Sequence, residues 1–224
     1  MSLLLSTAYL PPLDYFAAIA KDASLEGEIA PARLVLEACE NYRKQSWRNR
    51  CTILSASGRE NLLVPIRHTS PHIPIREVEV DYSTPWVHLH ENALSTAYGS
   101  SAFFEHYRDG LFDILESREV LLYDLNRRLL DYLLEKLHLP AVVEDSADYR
   151  PETDVLSEAA EEAASMLDLR TRLSPKKAPL YAVGEPYYQI FSSKFGFTEG
   201  LSVVDLLFNE GPDSLNVLAG MHVA

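Results

Sequence analysis

Hydrophobic periodicity changes character once along this chain, and that change limits the folds open to it. Up to about residue 81 the apolar residues come in short runs: Leu3-Leu4-Leu5-Ser6-Thr7-Ala8, Arg33-Leu34-Val35-Leu36, Cys51 to Leu54 and Leu62 to Ile66. Runs of this length, bounded by turn residues, read as strands. Between the first two, Pro11-Pro12 punctuates the chain, and Leu13, Phe16, Ala17 and Ala20 keep the spacing of a helix over 12–21 with Pro12 in its first turn. Ser57-Gly58-Arg59 reads as the turn of a hairpin, and Glu77 to Asp81 alternates valine with acid as a half-exposed strand does.

From Thr84 the repeat lengthens to that of helices, predicted over 85–97, 101–116 and 119–138, with Thr84 as a cap. In the last, Leu122, Leu125, Leu129, Tyr132 and Leu133 share one face. Ala141-Val142-Val143 returns as a strand. Residues 144–178 read as an insertion, with an acidic amphipathic helix over Glu158–Leu167 and an exposed loop at Ser174-Pro175-Lys176-Lys177. Leu201 to Phe208 forms a helix that Asn209-Glu210-Gly211-Pro212 stops. Strands first, helices in the middle and no 20-to-50-residue repeat predict a single α/β domain over 1–224, with α+β as the alternative.

Charge and cysteine content narrow the partners. Thirty-three acidic residues against 20 basic ones give a formal charge of −13, which repels nucleic acid and anionic lipid. The expected partner is a small anion at a local basic patch. Two cysteines, Cys39 and Cys51, make no secreted disulfide framework. The opening Met1-Ser2-Leu3-Leu4-Leu5 lacks a cationic region, and no apolar run reaches membrane-span length. A cytoplasmic protein without a membrane span is expected, and its oligomeric state is not legible.

The segment Glu40-Asn41-Tyr42-Arg43-Lys44-Gln45-Ser46-Trp47-Arg48-Asn49-Arg50 breaks the acidic pattern. As a strand it has no apolar face, and such local conflict concentrates at functional sites. Arg43, Lys44, Arg48 and Arg50 offer charge-assisted bonds to phosphate or carboxylate, and Trp47 or Tyr42 a stacking surface. The structural alternative is a solvated strand whose arginines pair with the surplus carboxylates.

Other candidates are weaker. His68 and His72 flank Thr69-Ser70-Pro71, and His88 and His90 bracket Leu89 on a predicted helix that sends the two rings to different faces. His90 is the candidate general base, since its ordinary pKa lies near neutrality; a surface histidine is the default. No metal site is expected, because neither HExxH nor CxxC occurs. No cofactor is expected either: the chain has nine glycines and neither a dinucleotide fingerprint, a Walker loop nor a G-x-S-x-G elbow. Cys39 and Cys51 flank the basic stretch and offer a cysteine-nucleophile alternative, against which stands burial as inert thiols.

Three blocks resemble the WbqC-like family: Tyr9-Leu10-Pro11-Pro12-Leu13-Asp14-Tyr15-Phe16; Glu40 to Arg50 continuing to Leu63-Val64-Pro65-Ile66; and Tyr187-Tyr188-Gln189-Ile190-Phe191 with Leu201 to Gly211. Between them, Trp86, His90, Tyr98, Phe103 and Phe104 resemble the family's aromatic pattern. The resemblance covers nearly all the chain except about 140–178. One departure stands out: many members have His-Gln-Pro before the tyrosine, where this chain has Ser6-Thr7-Ala8. The resemblance implies a bacterial protein associated with surface-polysaccharide synthesis, and through that association an acyl or aminoacyl transferase acting on a nucleotide-activated amino sugar. On that expectation Arg43, Lys44, Arg48 and Arg50 hold the diphosphate, Tyr42 stacks on the substrate, Tyr9, Asn49 and Gln189 orient the sugar, and His90 takes a proton. The alternative is a non-catalytic interaction protein with a basic strand facing an acidic partner.

Overall fold

The computed structural model describes residues 2–23, 30–67, 72–151 and 166–224. Its centre is a parallel four-stranded sheet in the order β5-β2-β1-β6, built from β1 (Ser2–Leu5), β2 (Ala32–Leu36), β5 (Ala141–Asp145) and β6 (Met166–Asp168). β1 lies between two neighbours, so its three leucines are buried whichever face they point to, at 0–3% exposure. A continuous apolar run suits such a strand. The edge strand β5 alternates instead, and Val142 is half exposed.

α1 (Leu13–Ala23) carries the chain from β1 to β2 and packs on both. It is buried almost all round, because the C-terminal elements cover its outer side: α6 (Val203–Glu210), α7 (Ser214–Gly220) and β7 (Tyr181–Ala182), which pairs with β8 (His222–Val223). β3 (Arg50–Ser55) and β4 (Gly58–Leu63) form an antiparallel hairpin against α2 (Trp86–Tyr98). α3 (Phe104–Glu116) and α4 (Leu122–Lys136) pack on each other, and α5 (Ser192–Phe195) is a single turn. These elements make a single-domain α/β fold. Among the described residues no helix is long and apolar enough to cross a membrane.

Several expectations change on inspection. The stretch 40–50 is not a strand but a loop with a 3-10 turn at Trp47–Asn49. Residues 77–81 do not form a strand: Glu79 bridges to Leu121 and Val80 to Ile66, so the alternation meets two partners one residue at a time. β4 ends at Leu63 rather than Ile66, and α2 starts after Pro85 with no side-chain cap. The acidic helix expected over 158–167 falls mostly outside the described residues, and its last two positions, Met166 and Leu167, belong to β6. His68 also lies outside them.

Strand order sets where a site can form. From β1 the chain steps to β2 and on to β5, then returns to the other side of β1 as β6. In open parallel sheets the loops leaving either side of such a reversal part, and a crevice opens at the carboxyl ends of the strands. Here the reversal lies between β1 and β6.

Candidate functional site

The loops at the carboxyl edge are stacked by continuations of the strand ladder: Glu37 N–H donates to the Leu5 carbonyl at 2.8 Å, Ser146 N–H to Leu36 at 2.8 Å and Leu169 N–H to Leu4 at 3.0 Å. Two buried charge networks form where they meet. Glu37 has no exposed surface, and both its oxygens are fully engaged. Oε1 accepts from Cys39 N–H and the Ser146 hydroxyl, and Oε2 from Arg150 N–H and Arg170 Nη1. Arg170 also pairs with Asp168. In the second network Arg48 and Glu40, 5% and 2% exposed, form a two-point ion pair, and Arg48 Nη2 donates to the Ser6 hydroxyl at 2.8 Å. Such burial is tolerable only because each charge is met by opposite charge and hydrogen bonds.

A crevice of only about 10 Å³ lies at the reversal point. Ser6, Thr7 and Ala8 line it with Tyr15, Arg48 and Arg170. Trp47 lines it too and forms a wall of a neighbouring cavity of about 410 Å³. That cavity carries charge: Arg50, Arg59 and Lys177 face it, with Asp14 and Glu199 the acids on its walls. Trp47 is held in place by its carbonyl, which accepts from Tyr9 N–H at 2.8 Å. Arg50 follows the 3-10 turn directly, and its Nε is buried with no hydrogen-bond partner among the described residues. Asp14 sits in the first turn of α1 and accepts from Leu180 N–H; burial pushes its carboxyl above the usual range.

The basic stretch therefore divides. Arg48 is consumed internally by Glu40, Arg50 lines the cavity, and Arg43 and Lys44 are exposed around a turn where Gln45 has φ 55°. Tyr42 is half buried against the core, and Asn49 is buried with Nδ2 on the Val64 carbonyl at 2.9 Å. Neither lines the crevice or the cavity.

His90 and Gln189 lie in separate buried networks. The Tyr9 hydroxyl and His90 Nδ1 are 2.8 Å apart, with Trp86 edge-on to the imidazole. Burial pulls the His90 pKa down to about 4. His88, two residues earlier, is exposed, as helical geometry requires. Gln189 has no exposed surface; its Nε2 donates to Asp205 Oδ2 at 3.0 Å and the Thr198 carbonyl at 3.0 Å. Tyr187 also donates to Asp205, whose carboxyl burial pushes up to about 6. Cys51 is buried and its thiol pushed up by burial, while Cys39 is partly exposed at the edge of the Glu37 network. No group of three metal-ligating side chains occurs among the described residues.

Asp14, Glu37, Arg59, Arg170 and Lys177 escaped the sequence reading. Only Asp14 carried a signal: it is the sole charged residue from Leu13 to Ala20, and an acid inside an apolar helix is rarely idle. Arg59 reads as hairpin turn and Lys177 as exposed loop, and nothing local says that the two meet.

Fold and site together define an α/β protein with an open parallel sheet and, beside the point where its strand order reverses, a cavity lined by charged residues. The chain belongs to the WbqC-like protein family, whose model matches residues 7–217. It is 31% identical over 196 residues to the uncharacterized protein Rv1507c of Mycobacterium tuberculosis (strain ATCC 25618 / H37Rv), a match spanning 79% of this chain and 83% of that one. No solved structure matches it.

Proposed function

We propose that the chain is a transferase that modifies an activated amino sugar, bound at the carboxyl edge of the sheet between β1 and β6. One observation carries this: Trp47, which packs beside the residues following β1 at the strand reversal, also walls a 410 Å³ cavity carrying three cations. That volume lies within the range of small-molecule sites. The cation excess in so acidic a chain favours an anionic substrate.

In the transfer, the amine nitrogen of the sugar attacks the carbonyl carbon of an acyl or aminoacyl thioester. A C–N bond forms, the C–S bond breaks, and the thiolate leaves. The proton lost by the amine needs an acceptor, and Asp14 is the acid whose burial raises its basicity on the cavity wall. His90 is assigned a positioning role: it holds Tyr9, whose backbone N–H fixes Trp47.

The test incubates the full chain with nucleotide-diphosphate amino sugars and acyl or aminoacyl thioesters, reading products by mass spectrometry. A mass gain on the sugar that disappears in Asp14→Asn is expected. No product from any pair, together with no thermal shift from any nucleotide sugar, overturns the transferase. A protein partner whose capture fails on charge reversal at Arg43 and Lys44 but survives His90→Ala favours a scaffold instead.

A further inference from the structure

We infer that Arg50, Arg59 and Lys177 form a diphosphate subsite, the part of the cavity that grips the activating group of the substrate. This deepens the reading of the sheet edge as a ligand site and rests on it.

Several arginines elsewhere in the protein are matched by acids. Arg48, Arg67, Arg76, Arg108, Arg127, Arg128 and Arg170 each pair with a carboxylate. Arg50 and Arg59, like Arg33, Arg118, Arg150 and Arg172, have no carboxylate ion pair among the described residues; what sets Arg50 and Arg59 apart is that both face one cavity, together with Lys177. Arg50 Nε has no acceptor among the described residues, so the hydrogen-bonding capacity of this guanidinium is not all spent within the fold. The nearby buried carboxylates are taken, Glu40 by Arg48 and Glu37 by Arg170.

Arg59 is anchored without being neutralised. Its Nη2 donates to the backbone carbonyl of Glu199 at 2.6 Å, which fixes the side chain across the hairpin and leaves its charge uncompensated. Lys177 adds a flexible third cation from the loop after β6. The two acids on the walls leave the cations in excess, and neither Asp14, which accepts from Leu180 N–H, nor Glu199 forms an ion pair with them among the described residues. One carboxylate ligand would be satisfied by a single arginine fork. Three cations from three chain segments match an anion with oxygens on several sides. Trp47 on the same wall gives an adjoining sugar or base a stacking surface.

The two larger cavities lack this chemistry. In one, of about 560 Å³, Arg127 is already bonded to Asp131 and Asp145. The other, of about 590 Å³, presents Glu91 and Glu116, and its Arg118 lies over the Tyr82 ring.

Isothermal titration of the full chain with inorganic pyrophosphate tests the subsite, with orthophosphate for comparison. Pyrophosphate is expected to bind more tightly than orthophosphate and to weaken as salt rises. Arg50→Ala should lower affinity about tenfold or more, the loss of a charged hydrogen bond, and Arg59→Ala and Lys177→Ala several-fold each. Both latter residues are exposed, so their variants keep the test decisive if Arg50→Ala melts early. Charge reversal at Arg43 and Lys44 should change nothing. Absence of binding to the wild type, or equal binding by the Arg59→Ala and Lys177→Ala variants, overturns the subsite. Pyrophosphate binding that needs these residues, without product from any nucleotide sugar, keeps the subsite and removes the transferase. Product formation indifferent to all three does the reverse.

Discussion

Tyr9 and His90 meet through a 2.8 Å contact between the tyrosine hydroxyl and Nδ1, with both residues buried. A neutral imidazole with its proton on Nε2 leaves Nδ1 able to accept from the Tyr9 hydroxyl. The contact ties α2 to the loop after β1, where Tyr9 N–H also holds the Trp47 carbonyl.

That neutrality has a pH signature. The His90 pKa is about 4 in the folded protein and near 6.5 when unfolded, so its stabilising contribution is present above pH 6.5 and is lost as pH falls toward 4. His90→Asn, which keeps an acceptor near the Nδ1 position, should gain stability relative to wild type as pH is lowered through that window, by up to about 3 kcal/mol. Urea unfolding at pH 7 and pH 4 checks this; parallel behaviour of the two proteins contradicts it.

Asp205 acts in the opposite sense. Burial raises its carboxyl to about 6, against hydrogen bonds from Tyr187, Tyr98 and Gln189 that partly restrain the shift. Its contribution is complete below the unfolded value near 4 and is lost as pH rises through 6. Asp205→Asn should therefore gain on wild type between pH 4 and 7, by about 1 to 3 kcal/mol. The same denaturation series reads it, and a gain in the other direction refutes the assignment.

Arg48→Ala should be among the most damaging single changes, costing about 3 to 5 kcal/mol, because Glu40 is left buried and unmatched. Pairing it with Glu40→Gln should recover part of the loss. A single variant within 0.5 kcal/mol of wild type, a bound set by ordinary surface substitutions being roughly that small, contradicts the ion pair's place in the fold.

Gly211 ends α6 at φ 54° and ψ −120°, and an added Cβ would lie 2.5 Å from the Phe103 ring. Gly211→Ala should cost on the order of 1 to 3 kcal/mol from backbone strain alone, with the clash adding to it. A calorimetric melt is sufficient to see it, and an unchanged melting temperature contradicts the geometry.

Much of the fold was legible because its signals are local. The β1 leucines, the Leu13–Ala20 face and the leucine stripe of α4 each declare their element within a few residues, and the structure places them close to where the sequence does. β6 declares nothing: three residues become a strand only by pairing with β1, far away in sequence. The site was half legible for the same reason. The cation-rich stretch announced a charged locus, but neighbouring arginines leave its 3-10 turn in different directions, Arg48 to Glu40 and Arg50 to the cavity. The partners that complete the cavity, Arg59 and Lys177, come from a hairpin and a loop whose meeting depends on tertiary structure.

Diffraction from crystals soaked in a nucleotide-diphosphate amino sugar tests the central claim most directly. The ligand's phosphates should lie among Arg50, Arg59 and Lys177, with the sugar toward Trp47 and the carboxyl end of β1. Phosphates seated instead on the exposed Arg43–Lys44 turn, or on the Arg127 cavity, contradict the account.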